Sequence, residues 1–203
     1  MKIIIVGPAH PYRGGLATFN ECMAQQFQKD GAQVSVETFT LQYPSFLFPG
    51  KTQYTTDAAP KDLLIRRSVH SVNPFNWIKV GRRLRKENAD LVLLRYWMPF
   101  MAPCMGTIGR MIRKNKKTKV VGLIDNMIPH EKRIGDNLLS RYFVNSMDAF
   151  VVLSDSVKEE LRQFDQVKPC LVTPHPTYDH YGNLLSKADA ANLLGLDASM
   201  RYI

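Results

Sequence analysis

Cysteine is scarce in this chain. Three occur among 203 residues, Cys22, Cys104 and Cys170, and no two stand at C-x-x-C spacing. An odd number without paired spacing argues against a disulfide framework and against zinc, and it fits a reducing compartment. Each is expected to be a small buried hydrophobe. Long hydrophobic runs are also missing. The run Ile3-Ile4-Ile5-Val6 stops at Gly7-Pro8, too soon for a secretory signal. The longest uncharged stretch, Tyr96 to Gly109, is broken by Pro99 and Pro103 and falls short of the ~20 residues that a bilayer span needs. Acidic residues are under-represented, with 18 Asp and Glu against 27 Lys and Arg and a formal charge of +9. That imbalance points to an anionic partner: nucleic acid, an anionic membrane face or a phosphorylated substrate.

What is present describes a folded chain. Hydrophobic residues make up 45% and charged residues 22%, enough apolar surface for a sizeable core and too little charge for disorder. The length suits one domain, or one domain with the beginning of a second. Short β-rich runs alternate with helical patterns. Lys2–Val6 reads as a buried parallel strand, Leu16–Lys29 as a helix with Leu16, Phe19, Met23 and Phe27 on one face, and Val34–Phe39 as a strand. Gly31 is placed to cap the first helix. A long irregular stretch from Leu41 to Pro60 carries Tyr43, Phe46, Phe48 and Tyr54, which argue that it packs on something.

Beyond it, Leu63–Ser68 reads as a short strand. A helix starting at Asn73-Pro74 and running to about Asn88 follows, then a strand at Asp90–Leu94 and a helix at Phe100–Lys114. Further strands are expected at Lys119–Ile124, Ala149–Leu153 and Cys170–Val172, with helices at Asp136–Ser146 and Ser156–Phe164. This alternation predicts an α/β fold with right-handed crossovers and a parallel, Rossmann-like sheet flanked by helices. A last helix is expected at Asn183–Leu194, then a turn at Asp197–Ser199 and a strand beginning at Arg201-Tyr202-Ile203. The expected division is a domain over 1–182, with 183–203 a linker and the start of a second domain.

In an open parallel sheet, ligands bind beyond the carboxyl ends of the strands. The first loop there, Gly7-Pro8-Ala9-His10-Pro11-Tyr12-Arg13-Gly14-Gly15, ends immediately before a helix. Gly14 and Gly15 let the backbone approach a ligand, the helix start supplies a positive dipole end, and Arg13 adds charge, so a phosphate could lie here. The G-x-G-x-x-G spacing of a dinucleotide site is missing, and a plain tight turn is the competing interpretation. A second loop, Asp125-Asn126-Met127-Ile128-Pro129-His130-Glu131, also follows a strand. A carboxylate followed by His-Glu could hold a sugar hydroxyl or relay a proton; a helix cap with a surface histidine is the alternative. His175, Asp179 and His180 match no standard zinc spacing, and no metal is expected.

The stretch "IIIVGPAHPYRGGLATF" resembles the opening of family 4 glycosyltransferases of the GT-B type. "QYPSFLFPGKTQY", "GLIDNMIPHE", "FVVLSDSVKEEL" and "PHPTYDHYG" resemble a bacterial subgroup of that family, so the likeness runs along essentially the whole chain. The resemblance implies the N-terminal, acceptor-side domain of a two-domain, retaining enzyme of cell-envelope polysaccharide synthesis. Such an enzyme moves a sugar from a nucleotide diphosphate sugar to a glycan or lipid-linked acceptor, with no cofactor and no metal. It places Arg13, Gly14 and Gly15 against the donor, Asn126 and Glu131 against substrate, and Asp125 and His130 at the reacting sugar. In many relatives a histidine stands directly after the strand; here Asp125 holds about that place and His130 follows it. Most nucleotide contacts belong to a second domain, so this chain alone is expected to be catalytically silent. A non-catalytic Rossmann-like module recognising an anionic ligand or a membrane is the rival.

The basic residues cluster at Lys79, Arg82, Arg83, Arg85 and Lys86, and again at Arg110, Arg113, Lys114, Lys116, Lys117 and Lys119. With Trp77, Ile78, Trp97 and Phe100 nearby, such a surface could meet anionic lipid headgroups; a solvated helix face is the plain alternative. No nucleic-acid motif is present. The expected location is cytoplasmic, peripheral at the inner membrane face.

Overall fold

The computed structural model describes residues 1–45, 52–129, 131, 133–176, 183–200 and 202. Its elements are β1 (Lys2–Val6), α1 (Gly15–Lys29), β2 (Gln33–Leu41), β3 (Leu64–His70), α2 (Pro74–Glu87), β4 (Leu91–Tyr96), α3 (Ala102–Arg113), β5 (Lys119–Ile124), α4 (Asp136–Val144), β6 (Ala149–Val152), α5 (Asp155–Arg162), β7 (Cys170–Val172) and α6 (Lys187–Leu194). The strands form one 7-stranded sheet in the order β3-β2-β1-β4-β5-β6-β7. Every pairing is parallel. The expected α/β Rossmann-like architecture is therefore the observed one.

The alternation of side chains along each strand divides the core in two. Ile3, Ile5, Val34, Val36 and Leu93 face one side and pack with Ala24, Met23 and Phe27 of α1. Ile4, Val6, Val92, Leu94 and Tyr96 face the other, where α2, α3, α4 and α5 bury Leu84, Met105, Ile108, Phe143 and Leu161. The strand order runs outward from β1 to β3, then resumes with β4 on the other side of β1. The crossovers diverge between β1 and β4, which opens a crevice at the carboxyl ends of those two strands.

The helix starts follow their capping residues. Asn73 accepts the Asn76 N–H at 3.1 Å, and Pro74 fills the first helical position of α2. Ser154 does the same for Val157 at the start of α5. Gly31 follows Asp30, the C-cap residue of α1, with φ +85, as its capping role requires.

Several boundaries differ from expectation. The helix expected over Phe100–Lys114 is a 3-10 turn at Pro99–Met101 followed by α3, because Pro103 is tolerated in a helix only within the first turn. The last helix begins at Lys187 rather than Asn183, since Ser186 caps it by accepting the Asp189 N–H at 3.1 Å. The third strand extends beyond Ser68 to His70. Cys104 is buried as expected, but Cys22 is exposed, because it lies on the solvent face of α1. Arg201 and Ile203, expected to begin a strand, lie outside the described residues, as do Phe46 and Phe48.

The contact between α2 and α3 leaves no room at Gly81. A Cβ there would lie 2.6 Å from the Met111 Cβ and 3.2 Å from the Ile108 carbonyl oxygen. Gly81→Ala is therefore expected to lower stability by about 1–3 kcal/mol, outweighing the ~1 kcal/mol that alanine gains over glycine in a helix. Urea denaturation tests this; a variant as stable as the wild type would mean that the two helices separate without cost.

Candidate functional site

The loop after β1 is held on all sides. The Gly7 amide donates to the Glu37 carbonyl at 3.1 Å, the Ala9 amide to Thr38 Oγ1 at 3.0 Å, and the His10 amide to Glu21 Oε1 at 2.5 Å. Residues 52–55 return to the same loop: the Arg13 amide donates to the Gln53 carbonyl at 3.0 Å and the Thr55 amide to the Pro11 carbonyl at 2.8 Å. The Tyr12 ring packs 5.2 Å from Tyr54 and 6.2 Å from Phe39. So two of the four aromatics of the excursion do pack on something: Tyr54 on the Gly-Gly loop, and Tyr43 on Trp97 and Phe100 beyond β4. Burial, reinforced by Tyr54, raises the Tyr12 phenol to about 12.

Gly14 occupies the N-cap position of α1 with φ 108 and ψ 169. No side chain surrounds a Cβ built there, so glycine is needed for the backbone angle and not for space. Gly7 is the opposite case: its Cβ would meet Asn20 Nδ2 at 2.7 Å and Arg95 Cβ at 2.9 Å. The first turn of α1 carries no acidic residue and no side-chain cap, so its positive dipole end faces a cleft whose carboxylates, Glu21 and Asp57, come from the second turn and from the loop before β3. Arg13, Gly14 and Gly15 are all exposed there.

Beneath the loop lies a residue that the sequence pattern did not single out. Arg95, near the end of β4, is 1% exposed and points to the α1 side of the sheet. Its Nε donates to Asp125 Oδ2 at 2.6 Å, and its Nη2 pairs with Asp125 Oδ1. Nη1 donates to Asn20 Oδ1 at 3.1 Å, and the guanidinium lies 4.2 Å from the centroid of the Phe19 ring. Asn20 in turn donates to the Pro8 carbonyl at 2.8 Å. A continuous buried hydrogen-bond chain thus joins the loop after β1, helix α1, the end of β4 and the loop after β5 across the crevice. The available signal was one arginine inside the otherwise apolar run Leu91-Val92-Leu93-Leu94 and Tyr96.

The loop after β5 is anchored twice. Asp125 is fixed by Arg95, and Glu160 Oε2 accepts the Met127 and Ile128 amides at 3.2 and 3.0 Å. Asn126, between the anchors, is exposed. Of the sequence-derived residues, Arg13 and Gly14 line a polar cleft of about 310 Å³ with His10, Glu21 and Asp57. Glu131 lines a different cleft of about 400 Å³, beside Tyr43, Met98, Phe100 and Arg133. These residues therefore occupy separate depressions rather than one. His130 lies outside the described residues, as do Asp179 and His180. His175 packs its ring 4.9 Å from Phe19, which brings the segment after β7 back over the start of α1. Among the described residues, no cluster of three or more His, Cys, Asp or Glu could hold a metal.

Residues 13–179 match the model of Glycosyltransferase Family 4. The chain belongs to glycosyltransferase family 4. No curated protein sequence matches it. Among solved structures, sucrose-phosphate synthase from Thermosynechococcus elongatus aligns with a TM-score of 0.56 at 10% identity, over 87% of this chain and 90% of that one. An alpha-glucosyltransferase in complex with UDP and a 13-mer DNA containing an HMU base aligns with a TM-score of 0.56 at 13% identity, over 88% of this chain. The same kind of enzyme with UDP-glucose and DNA containing an abasic site gives 0.54 at 12% identity over 88% of this chain. The family 4 chain spans 43% of the length of each alpha-glucosyltransferase chain. At these identities the likeness is one of fold, the Rossmann-like half of a GT-B architecture.

The Arg95–Asp125 pair gives a stability test of this family 4 site. Arg95→Met leaves Asp125 largely buried without its counter-ion, which is expected to cost about 3–5 kcal/mol. Adding Asp125→Asn should recover part of that loss, because no uncompensated charge remains. Guanidinium denaturation of the single and double variants decides; strictly additive losses would overturn the pairing.

Glu21 gives a second test. Burial pushes its carboxyl above the usual glutamate range, with the His10 amide pulling the other way. A raised carboxyl pKa favours folding below the unfolded value, and that contribution is lost as pH rises through the folded value. Glu21→Gln keeps an oxygen for the His10 amide and removes the titration. The variant should melt like the wild type in acid and above it at neutral pH. A difference in melting temperature that does not change with pH would sink the argument.

Proposed function

We propose that this chain is the acceptor-side half of a retaining glycosyltransferase that moves a sugar from a nucleotide diphosphate sugar to a glycan or lipid-linked acceptor. The observation that carries this is the Gly14–Gly15 start of α1, set at the point where the strand order diverges and standing above the Arg95–Asp125 pair. Family 4 membership and a GT-B fold support sugar transfer in general; the direction of stereochemistry, the donor and the acceptor are part of the proposal.

In the reaction, the bond between the anomeric carbon and the diphosphate oxygen breaks, the acceptor oxygen forms the new bond, and the acceptor's proton passes to the departing diphosphate. Charge builds on the departing diphosphate. Arg13 and the positive end of α1 at Gly14 and Gly15 are suited to receive it, since fixed dipoles stabilise developing charge without reorganising. Asp125 is held rigidly by Arg95 and keeps lone pairs able to accept a sugar hydroxyl. Exposed Asn126 and Glu131 serve the acceptor or the sugar ring, with His130 assigned to the reacting sugar on the family resemblance. Residues 1–182 form the acceptor-side domain in this proposal, and 183–203 lead towards a nucleotide-binding partner domain. The UDP and UDP-glucose named with the alpha-glucosyltransferases support a nucleotide sugar donor. No metal or cofactor enters the scheme, and the location proposed is the cytoplasm, at the inner membrane face.

Gly15→Val in the intact gene product is the direct test. A branched side chain at the mouth of the loop would stand where the backbone meets the donor, and misplacement of about 1 Å can cost on the order of 100-fold in rate. Transfer from a panel of nucleotide diphosphate sugars should fall by at least that factor, with the melting temperature close to that of the wild type. Near-normal turnover would remove the Gly-Gly loop from the donor site.

A further inference from the structure

The segments that follow β2, β4 and β5 leave the same, carboxyl edge of the parallel sheet, and together they line the cleft that holds Glu131. Its volume of about 400 Å³ falls within the ~300–1,000 Å³ typical of small-molecule sites. Tyr43, just beyond β2, and Phe100, just beyond β4, supply its aromatic surface, with ring centroids 6.2 Å apart and planes tilted by 34°. The Tyr43 ring is held at its hydroxyl. Trp97 Nε1 donates to that oxygen at 2.6 Å, and the hydroxyl donates to Met98 Sδ at 3.5 Å. Burial pushes the Tyr43 phenol above its usual range, so it remains a neutral donor. An aromatic surface fixed in this way is in place before any ligand arrives.

The opposite chemistry completes the lining. Glu131 and Arg133 are exposed, and Asp136, at the first position of α4, is half-buried. The Asp136 carboxylate accepts the Arg133 amide at 2.8 Å, which fixes these two residues together at the start of α4. Aromatic rings beside two carboxylates and one guanidinium restrict the occupant. A hydrocarbon chain would press against charged groups and desolvate them without replacing their hydrogen bonds. A phosphate would meet more negative than positive charge. A pyranose ring suits both halves of the cleft. Its C–H face packs on an aromatic ring, and its hydroxyls donate to carboxylates and accept from a guanidinium.

We propose that this cleft is a subsite for an uncharged pyranose ring of the acceptor, packed on Tyr43 and Phe100 with its hydroxyls held by Glu131, Arg133 and Asp136. The assignment rests on the acceptor-side function proposed above and adds the chemistry of the acceptor: a neutral sugar in preference to a uronate, whose carboxylate would face Glu131 and Asp136. The loop after β5 carries both Asp125, fixed by Arg95, and Glu131. A ring bound in the cleft is therefore tied to the same segment as the carboxylate proposed for the reacting sugar.

Saturation-transfer NMR of the chain with methyl glycosides tests this, since binding a lone glycoside needs neither donor nor transfer. The probes are methyl glucoside, methyl galactoside and methyl mannoside, with methyl glucuronide as the charged comparison. At least one neutral glycoside should receive saturation, strongest on the C–H protons of one ring face, and methyl glucuronide should receive far less. Phe100→Leu keeps apolar volume and removes the ring, and should weaken neutral binding about tenfold. Glu131→Gln should weaken it about threefold and raise the glucuronide signal. Phe75→Ser, which removes an exposed aromatic of α2 outside the cleft, should change nothing. If Phe100→Leu lowers the melting temperature, Glu131→Gln carries the test, because its side chain is exposed. No saturation from any glycoside would overturn the proposal. So would a glucuronide signal equal to the neutral ones, or binding untouched by both cleft variants. Each of these results leaves the transferase function standing, because that is decided separately by transfer in Gly15→Val.

Discussion

Arg95 stands in a strand whose neighbouring positions are apolar, with its side chain almost entirely removed from water. A guanidinium in such a place carries a desolvation penalty of several kcal/mol unless its donors are matched. Here they are: Asp125 takes two of them, Asn20 a third, and the Phe19 ring covers the planar face. The partners come from different parts of the chain, and that is the consequence that matters. Satisfying one buried cation fixes the end of β4, the loop after β5 and the first turns of α1 in a single arrangement. A hydrophobic residue at position 95 could fill the same volume, but it would leave the two loops free to settle independently. A buried pair of this kind is better understood as specifying geometry than as adding stability.

The Gly-Gly loop inherits that arrangement. Its backbone adopts a positive φ at Gly14, a conformation open to glycine and closed to residues with a side chain, and its surroundings select that one conformation from the many glycine allows. The surroundings here are the Asn20–Pro8 bond below, the Glu21–His10 bond beside it, and the backbone bonds from Gln53 and Thr55 above. An irregular connection between β2 and β3 would ordinarily be a solvent-exposed loop. Instead part of it splints the segment on which ligand binding would depend, and the Tyr12–Tyr54 contact makes the splint an aromatic one.

Helix α2 shows how a single element serves two surfaces. Its inner face buries Val80 and Leu84, and Gly81 lets α3 approach closely. Arg83, on its flank, joins the buried carboxylate of Glu37 and so ties the helix to β2. The remaining face, with Lys79, Arg82 and Lys86, is exposed. The division follows from helical periodicity: residues one step apart in sequence point about 100° apart, so Arg82 and Arg83 meet different environments.

Much of the architecture was legible in the residue order. Apolar runs of period two, helical faces, capping residues and glycine punctuation are local signals, and they determine the strand–helix alternation and the parallel sheet. The Gly14–Gly15 loop and the Asp125–Glu131 loop were legible for the same reason, since each directly follows a strand. Boundaries at Pro103 and Ser186 were misplaced where apolar periodicity and local backbone chemistry disagreed, and the chemistry prevailed. What only the tertiary structure decided was partnership. Arg95 meets a carboxylate 30 residues away and an amide 75 residues away. Arg13 and Glu131 come to lie in separate clefts, and Arg83 is engaged while Lys79 and Arg82 stay in water. None of these is a property of a segment. Each depends on the order in which the strands assemble, because a charged side chain has its partner chosen by whatever the fold brings within reach of it in a low-dielectric interior.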